Sequence, residues 1–395
     1  MPDLLTIDEA LAAVLARAPS LGAETVAVAR AAGRVLAEDA VAAVDLPGFR
    51  SSAMDGYAVR VADGSGSRRI VDRSAAGRPA HRALGPGEAI EISTGAVVPD
   101  GADAVVPVEE VVVDGESVTV AVVQEGDNIR PVGGDVTAGA VVAEAGSVVG
   151  PAQVGALAAA GIAEVRCGRV PRVAILPTGT ELRAPGDTLG AGEIYESNGV
   201  MLAAQVASAG GLADRLPPVG DDPDATRAAL ARALDADVLI TSGGVSVGPH
   251  DLVRGTLAEL GAEEVFWRVS MRPGKPIAFA VRRSTLVFGL PGNPVSSLVG
   301  FELFVRPALL ALQGAAEPGP RFRPAVLGAP VRRGAERDAL VRARTRVDGD
   351  RLVVDPLRGQ ESHMIVRSSA ADALVLVPRG EGELAAGAAV SYVPV

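Results

Sequence analysis

The stretch Asp237–Asp251, DVLITSGGVSVGPHD, constrains the fold more than any other part of the chain. It opens on an apolar run, Val238-Leu239-Ile240-Thr241, short enough for a buried strand. It breaks at Ser242-Gly243-Gly244 and closes on Gly248-Pro249-His250-Asp251, after which LVRGTLAEL has helical spacing. Strand, glycine turn and helix in that order aim backbone N–H groups and a helix N-terminus at one spot, which suits an anion.

The same layout recurs on both sides. VAILPTGTEL reads as a strand and a loop, and Ser197–Ala209 as a helix ending at Gly210-Gly211. LPPVGDDPDATRAALARAL reads as strand then helix, with Asp222 as N-cap and Pro223 at the first helical position. VFWRVSMRPGKPIAFAV and TLVFGLPGNPVSSLVGFELF each take a strand into a Pro-Gly loop. Strands and helices alternating over roughly 145 residues imply a doubly wound sheet.

The flanks read differently. Thr6 to Ala18 is an amphipathic helix, with Thr6 as N-cap and Glu9 in a capping-box position. Thr25–Glu38 reads as a second helical piece, and Ala152–Ala160 as a helix ending at Gly161. Between them, short apolar runs alternate with glycine turns, and Asp114-Gly115 marks a hairpin. AAEPGP, Ala315 to Pro320, is a linker, and short strands return after it. The expected fold class is multidomain α/β plus β. A discontinuous N-terminal helical and linking domain covers 1–45 and 143–169. A β-rich insertion covers 46–142, the central α/β domain 170–318, and a small C-terminal β-domain 319–395.

Composition excludes several functions. The net charge of −11 and the 3% aromatic content argue against a nucleic-acid surface. One cysteine, Cys167, permits no disulfide within the chain and reads as an inert interior thiol; the three histidines show no zinc-ligand spacing. No apolar run reaches membrane-spanning length. The first residues lack the basic region of a signal peptide, so a cytoplasmic location is expected.

Four loops share a strand-to-loop position: Thr178-Gly179, Ser242-Gly243-Gly244, Pro273-Gly274-Lys275-Pro276 and Pro291-Gly292-Asn293-Pro294. In an open parallel sheet such loops gather where ligands bind. Arg268, Ser270 and Arg272 alternate as on one face of a strand, and Lys275 follows, which groups three cations suited to phosphate or a tetrahedral oxyanion. Asp55, Glu181, Asp221 and Asp251 stand out among the acids. Together they suit a hard cation such as Mg2+, although helix capping explains Asp251 equally well. In the insertion, Ser93-Thr94-Gly95 and NIRPVGGDV, with Arg130 and Asp135, are further candidates; Arg337 and the GQESH run, 359–363, carry a weaker signal.

SAMDGYAVR, STGAVVPDGADAVVPVE, NIRPVGGD, PTGTEL, TSGGVSVGPHD, RPGKP and GLPGNPVSS occur in that order and cover nearly the whole chain. In this the sequence resembles the molybdopterin molybdenumtransferase family, the MoeA type, similar to the E domain of gephyrin. The resemblance implies four domains and a homodimer, with each active site between the α/β domain of one subunit and the insertion of the other. It implies that adenylylated molybdopterin and molybdate are converted, with Mg2+ or a similar cation, to molybdenum cofactor and AMP. It puts functional acids at Asp55, Asp135, Glu181, Asp221 and Asp251, with Asp221 and Asp251 taken as the cation ligands. Thr94 and Arg130 are the insertion's other site residues. The oxyanion site falls on Lys275, Pro276, Ser296, Arg337 and Ser362. Thr178, Gly179, Ser242, Gly243, Gly244, Gly292, Asn293, Arg268 and Arg272 are expected at the pterin and its phosphates; some members carry lysines where Arg268 and Arg272 stand. An enzyme that adenylylates molybdopterin and molybdoenzymes that accept the finished cofactor are the expected partners, with no nucleic acid and no membrane. The rival readings are the adenylylation step itself, a scaffold without turnover, and another phosphate-binding sugar or nucleotide enzyme.

Overall fold

The computed structural model describes residues 4–244 and 252–395. Its centre is a six-stranded sheet made of β1 (Arg172–Pro177), β2 (Leu212–Arg215), β3 (Val238–Ser242), β4 (Glu263–Trp267), β5 (Ala278–Arg282) and β6 (Thr285–Leu290). The order across the sheet is β2-β1-β3-β6-β5-β4. The first four strands run parallel; β5 runs antiparallel to both its neighbours, β6 and β4, so β4 runs in the direction of the first four. β3 and β6 are buried along their whole length, as their unbroken apolar runs require for strands covered on both faces.

Helices cover both faces. On one side Ile7–Leu15, Asn198–Ser208 and the long helix Pro294–Leu312 pack on Ile175, Ile240 and Phe288; on the other, Pro223–Ala233 and Leu252–Glu259 pack on Leu176, Leu239 and Val287. Thr6 caps the first helix with Glu9 in a complete capping box. Pro294–Leu312 is long and apolar enough by composition to cross a membrane, which corrects the sequence reading, yet 78% of it is buried as the core of this domain. It widens to a π-helical turn over Phe301–Val305. Pro307 explains this, because it has no N–H to donate to the Leu303 carbonyl.

Thr25–Glu38 is not a helix. Ala23–Ala27 is a strand paired antiparallel with Glu164–Gly168, and a single 3-10 turn, Val28–Arg30, follows. β-branched Thr25, Val26 and Val28 favour extended backbone, and Gly33 adopts a positive φ of 78°. Helix Pro151–Ala159 joins this unit through Val28, Leu36, Leu157 and Cys167. Cys167 is fully buried, and burial pushes its thiol pKa up.

The insertion is a six-stranded sheet with an apolar cluster on each face, one around Ile90 and Val105, the other around Tyr57 and Val106. The Asp114-Gly115 hairpin is present. The C-terminal strands Arg323–Leu327, Asp338–Asp348, Arg351–Pro356, Ala373–Val377 and Ala389–Pro394 pair in a closed ring, a five-stranded barrel. Val341 and Ala343 fill its interior, while Leu340 and Leu374 point outward into the core of the central domain.

Two glycines test this packing in opposite directions. A Cβ on Gly168 would lie 1.9 Å from the Gln313 carbonyl oxygen, whereas one on Gly155, inside helix Pro151–Ala159, meets nothing within 4 Å. We expect Gly168→Ala to destabilise the protein by about 1–3 kcal/mol and Gly155→Ala to stabilise it by about 0.5–1 kcal/mol. Urea denaturation of both variants checks the signs.

Candidate functional site

The chain runs from β1 outward to β2 and then crosses to β3 on the other side of β1, so the winding reverses between β1 and β3. Ligands of doubly wound sheets bind in the crevice this leaves at the carboxyl ends of the strands. Three loops meet there. Thr178, after β1, donates its N–H to the Ser242 carbonyl at 2.9 Å. Gly243, after β3, donates to the Leu290 carbonyl of β6 at 3.0 Å. Gly243 and Gly244 have positive φ, and a Cβ would sit 2.7 Å from the Thr178 carbonyl oxygen at the first and 2.6 Å from a Val253 methyl at the second. Only glycine allows this convergence. Asn198 locks it: its amide donates to Ser242 Oγ at 2.8 Å and to the Gly292 carbonyl at 2.7 Å. Ser242 is therefore buried and engaged internally, while Asn293 is exposed beside it. Asn198 itself is buried, and its side-chain oxygen has no partner among the described residues. A buried asparagine at the start of a helix has no marker in the sequence, and it was missed there.

The acids flank this crevice. Gly179 donates to the Val219 carbonyl at 2.9 Å, which sets the Thr178–Glu181 loop against Val219–Asp221. The Glu181 carboxylate folds over Gly179, where a Cβ would be 2.6 Å from it. Asp222 caps helix Pro223–Ala233 by accepting from Asp224 and Ala225, and Asp221 is left exposed. Asp251, with the rest of the 245–251 segment, lies outside the described residues. Among the described residues no group of three His, Cys, Asp or Glu side chains could hold a metal by itself. The available donors are carboxylate oxygens without imidazole or thiolate, and this fits a hard cation that takes one or two protein carboxylates and completes its shell from phosphate and water.

The cations sit differently from the sequence expectation. Arg268 and Arg272 do not share a strand face. β4 ends at Trp267, and Arg268 turns with φ 81° and stacks its guanidinium 3.7 Å from the centre of the Trp267 ring. Val269 and Ser270 are buried, and the next two residues, Met271 and Arg272, pair in parallel with Asp338 and Ala339 of the barrel. The chain thus leaves one sheet for another, which breaks the alternation. A cavity of about 350 Å³ opens where it returns. Arg272, Lys275, Pro276, Asn293, Ser296, Arg337 and Ser362 all line it, together with Gly274 of the Pro-Gly-Lys-Pro turn and Gln360, Glu361 and His363 of the run that carried a weaker signal in the sequence. Ser296 is buried in the first turn of helix Pro294–Leu312, where Val295 donates its N–H to the Ser362 carbonyl at 3.1 Å. Three cations and two hydroxyls face one acid, Glu361, across this space. That balance suits a tetrahedral oxyanion within an acidic protein.

In the insertion, Asp55 accepts from the Thr94 N–H at 2.7 Å. Strand Ser51–Ser52 pairs with Ile129–Arg130, which brings Arg130 to the same end. Asp135 lies on the following turn, its N–H bound to the Leu46 carbonyl at 2.9 Å. All four are exposed, and none lines the cavity of its own chain.

A switch-point crevice bordered by acids, with a cationic cavity closed by a C-terminal barrel, defines a multidomain α/β protein built to bind an anionic ligand. Profiles of known families place it further. Residues 5–161 match the MoeA N-terminal region (domains I and II), 174–311 the probable molybdopterin binding domain, and 324–395 the MoeA C-terminal region (domain IV). The chain is 40% identical to molybdopterin molybdenumtransferase 2 of Mycobacterium tuberculosis over 92% of its own length and 93% of that protein's. It is 33% identical to molybdopterin molybdenumtransferase of Staphylococcus aureus, over 98% and 95%. The crystal structure of the molybdopterin biosynthesis MoeA protein from Pyrococcus horikoshii superposes over the full length of both chains with a TM-score of 0.84 at 27% identity. The chain belongs to the molybdopterin molybdenumtransferase (MoeA) family.

The role of Asn198 is open to measurement. Asn198→Ala leaves the Gly292 carbonyl without its donor and frees two loops from each other. We expect a loss of about 1–3 kcal/mol in urea denaturation; an unchanged midpoint would contradict the locking role.

Proposed function

We propose that this protein carries out the molybdenum-insertion step of molybdenum cofactor biosynthesis, as a transferase acting on molybdopterin. Membership of the family is the observation that carries this reading. The cavity lined by Arg272, Lys275, Arg337, Ser296 and Ser362 is its local support. In the finer form of the proposal the substrate is adenylylated molybdopterin. The two dithiolene thiols bind molybdenum as one molybdate oxide leaves with their protons as water; water attacks the phosphoanhydride, and AMP leaves while the other phosphate stays on the pterin.

The chain's own groups have distinct tasks in this scheme. The turns after β1, β3 and β6 shape the crevice for the pterin phosphate, and the start of helix Pro294–Leu312 faces it with its positive dipole end. Lys275, Arg272 and Arg337 hold molybdate by charge, and Ser296 and Ser362 orient it by hydrogen bonds. These donors are set before the substrate arrives, so charge developing during transfer meets dipoles already aligned. Asp221, with Asp251, would hold Mg2+, and Glu181 borders that position. When bound, the cation would neutralise phosphate charge at the bond that breaks.

Asp55, Thr94 and Arg130 enter through a second subunit. We propose a homodimer in which the insertion of one chain covers the crevice of the other. Phe49 and Met54, 45% and 39% exposed beside Asp55, supply apolar surface for that contact. An adenylylating enzyme upstream and molybdoenzymes downstream are the partners this reaction needs.

Two measurements test the reading. Incubation with adenylylated molybdopterin, Mg2+ and molybdate should release AMP and active cofactor together, and Lys275→Ala should slow this at low molybdate by about tenfold or more. Tight pterin binding without any AMP would instead favour a scaffold. For the shared site, inactive Asp55→Asn and Lys275→Ala chains should regain activity when mixed and allowed to exchange subunits, since one of the two sites in each mixed dimer is then intact. No recovery in a verified mixed dimer would rule out a site built from both chains.

A further inference from the structure

The loop 357–364 forms one wall of the oxyanion cavity, yet it has almost no regular structure of its own. A single side chain organises it. Arg342 lies on barrel strand Asp338–Asp348, two residues beyond Leu340 on the outward face, and is 1% exposed. Its guanidinium donates to the carbonyls of Gly359 at 2.8 Å, Glu361 at 3.2 Å and Met364 at 2.9 Å, and to Ser368 Oγ at 2.6 Å. Its backbone N–H donates to Gln360 Oε1 at 3.0 Å, and Gln360 Nε2 donates back to the Arg342 carbonyl at 2.9 Å. The Ser362 carbonyl accepts from the Val295 N–H at 3.1 Å. The backbone of the loop is thereby fixed from behind, which settles where Gln360, Ser362 and His363 stand against the cavity.

No carboxylate forms a salt bridge with Arg342 among the described residues. Burial pushes its pKa below the usual arginine value, and the charge of Glu361 offsets this only in part. A buried guanidinium satisfied by carbonyls and one hydroxyl is a costly way to hold a loop, because no carboxylate pairs with its charge. The same strand also pairs with Arg272 through Ala339 and begins next to Arg337. One strand therefore aligns both walls of the cavity.

We infer that Arg342 is the positioning residue of the oxyanion cavity: it holds Ser362 and His363 opposite Lys275 and contributes an unpaired positive charge behind them. The inference rests on the proposed insertion of molybdenum and says which part of the chain sets the affinity for molybdate.

Arg342→Lys keeps the charge but loses the planar fork, and Arg342→Met loses both. In the full-length protein, the KM for molybdate and calorimetric molybdate affinity should worsen about tenfold in Arg342→Lys, equivalent to about 1.4 kcal/mol. They should worsen further in Arg342→Met, with the KM for adenylylated molybdopterin within about twofold of the parent in both. Amide exchange over 357–364 should rise in both, with the central sheet unchanged. Ser368→Ala, which removes one acceptor far from the chemistry, should show the same pattern more weakly if the Arg342 variants fail to fold. Equal losses in both KM values, or unchanged exchange in the loop, would overturn the inference. Absence of molybdate binding and AMP release in the parent would count against the proposed reaction instead, while the exchange measurement would still decide the positioning role.

Discussion

The site depends on the chain's departure from one sheet into another between Trp267 and Arg272. The central sheet gains β4 up to Trp267; the barrel gains Met271 and Arg272. Arg268 makes the exit possible by adopting a positive φ, a conformation disfavoured for a side chain of its size, and its stacking on Trp267 compensates part of that strain. The chain then returns to the central sheet through Pro273–Pro276, so Lys275 sits where the two domains meet. Neither domain alone could form the cavity.

Around that crossing, positive charge is gathered in a protein whose net charge is −11. Arg272, Lys275 and Arg337 reach the cavity from three segments, and Arg342 stands behind it. The barrel core and the central core hold the four cations together regardless of their repulsion, which an oxyanion bound there would relieve.

The switch-point crevice uses a different device. There the N–H groups of Thr178, Gly179 and Gly243 are spent on bonds between the loops, to the carbonyls of Ser242, Val219 and Leu290. Close approach takes the place of charge: Gly243 and Gly244 let the loops after β1 and β3 touch, and Asn198 bonds the loops after β3 and β6.

Much of this was legible in the sequence, because strand–turn–helix periodicity and glycine position are local properties. The doubly wound domain, the capping residues Thr6 and Asp222, the hairpin at Asp114-Gly115 and the converging turns all follow from neighbours within a few residues. Most of the residues expected at the oxyanion site do line one cavity. Local reading failed where long-range pairing decided. Thr25–Glu38 has helix-forming alanines, but its first residues pair as a strand with Glu164–Gly168 and a single 3-10 turn follows. Arg268 and Arg272 alternate like one strand but are divided between two sheets. Asn198 and Arg342 carry no motif at all, since their importance comes from carbonyls brought to them by other segments of the chain. The sequence by itself determined which elements form and which loops bear the chemistry; the tertiary structure alone decided which loops face each other, because contact between separate domains has no period that a single stretch of sequence can display.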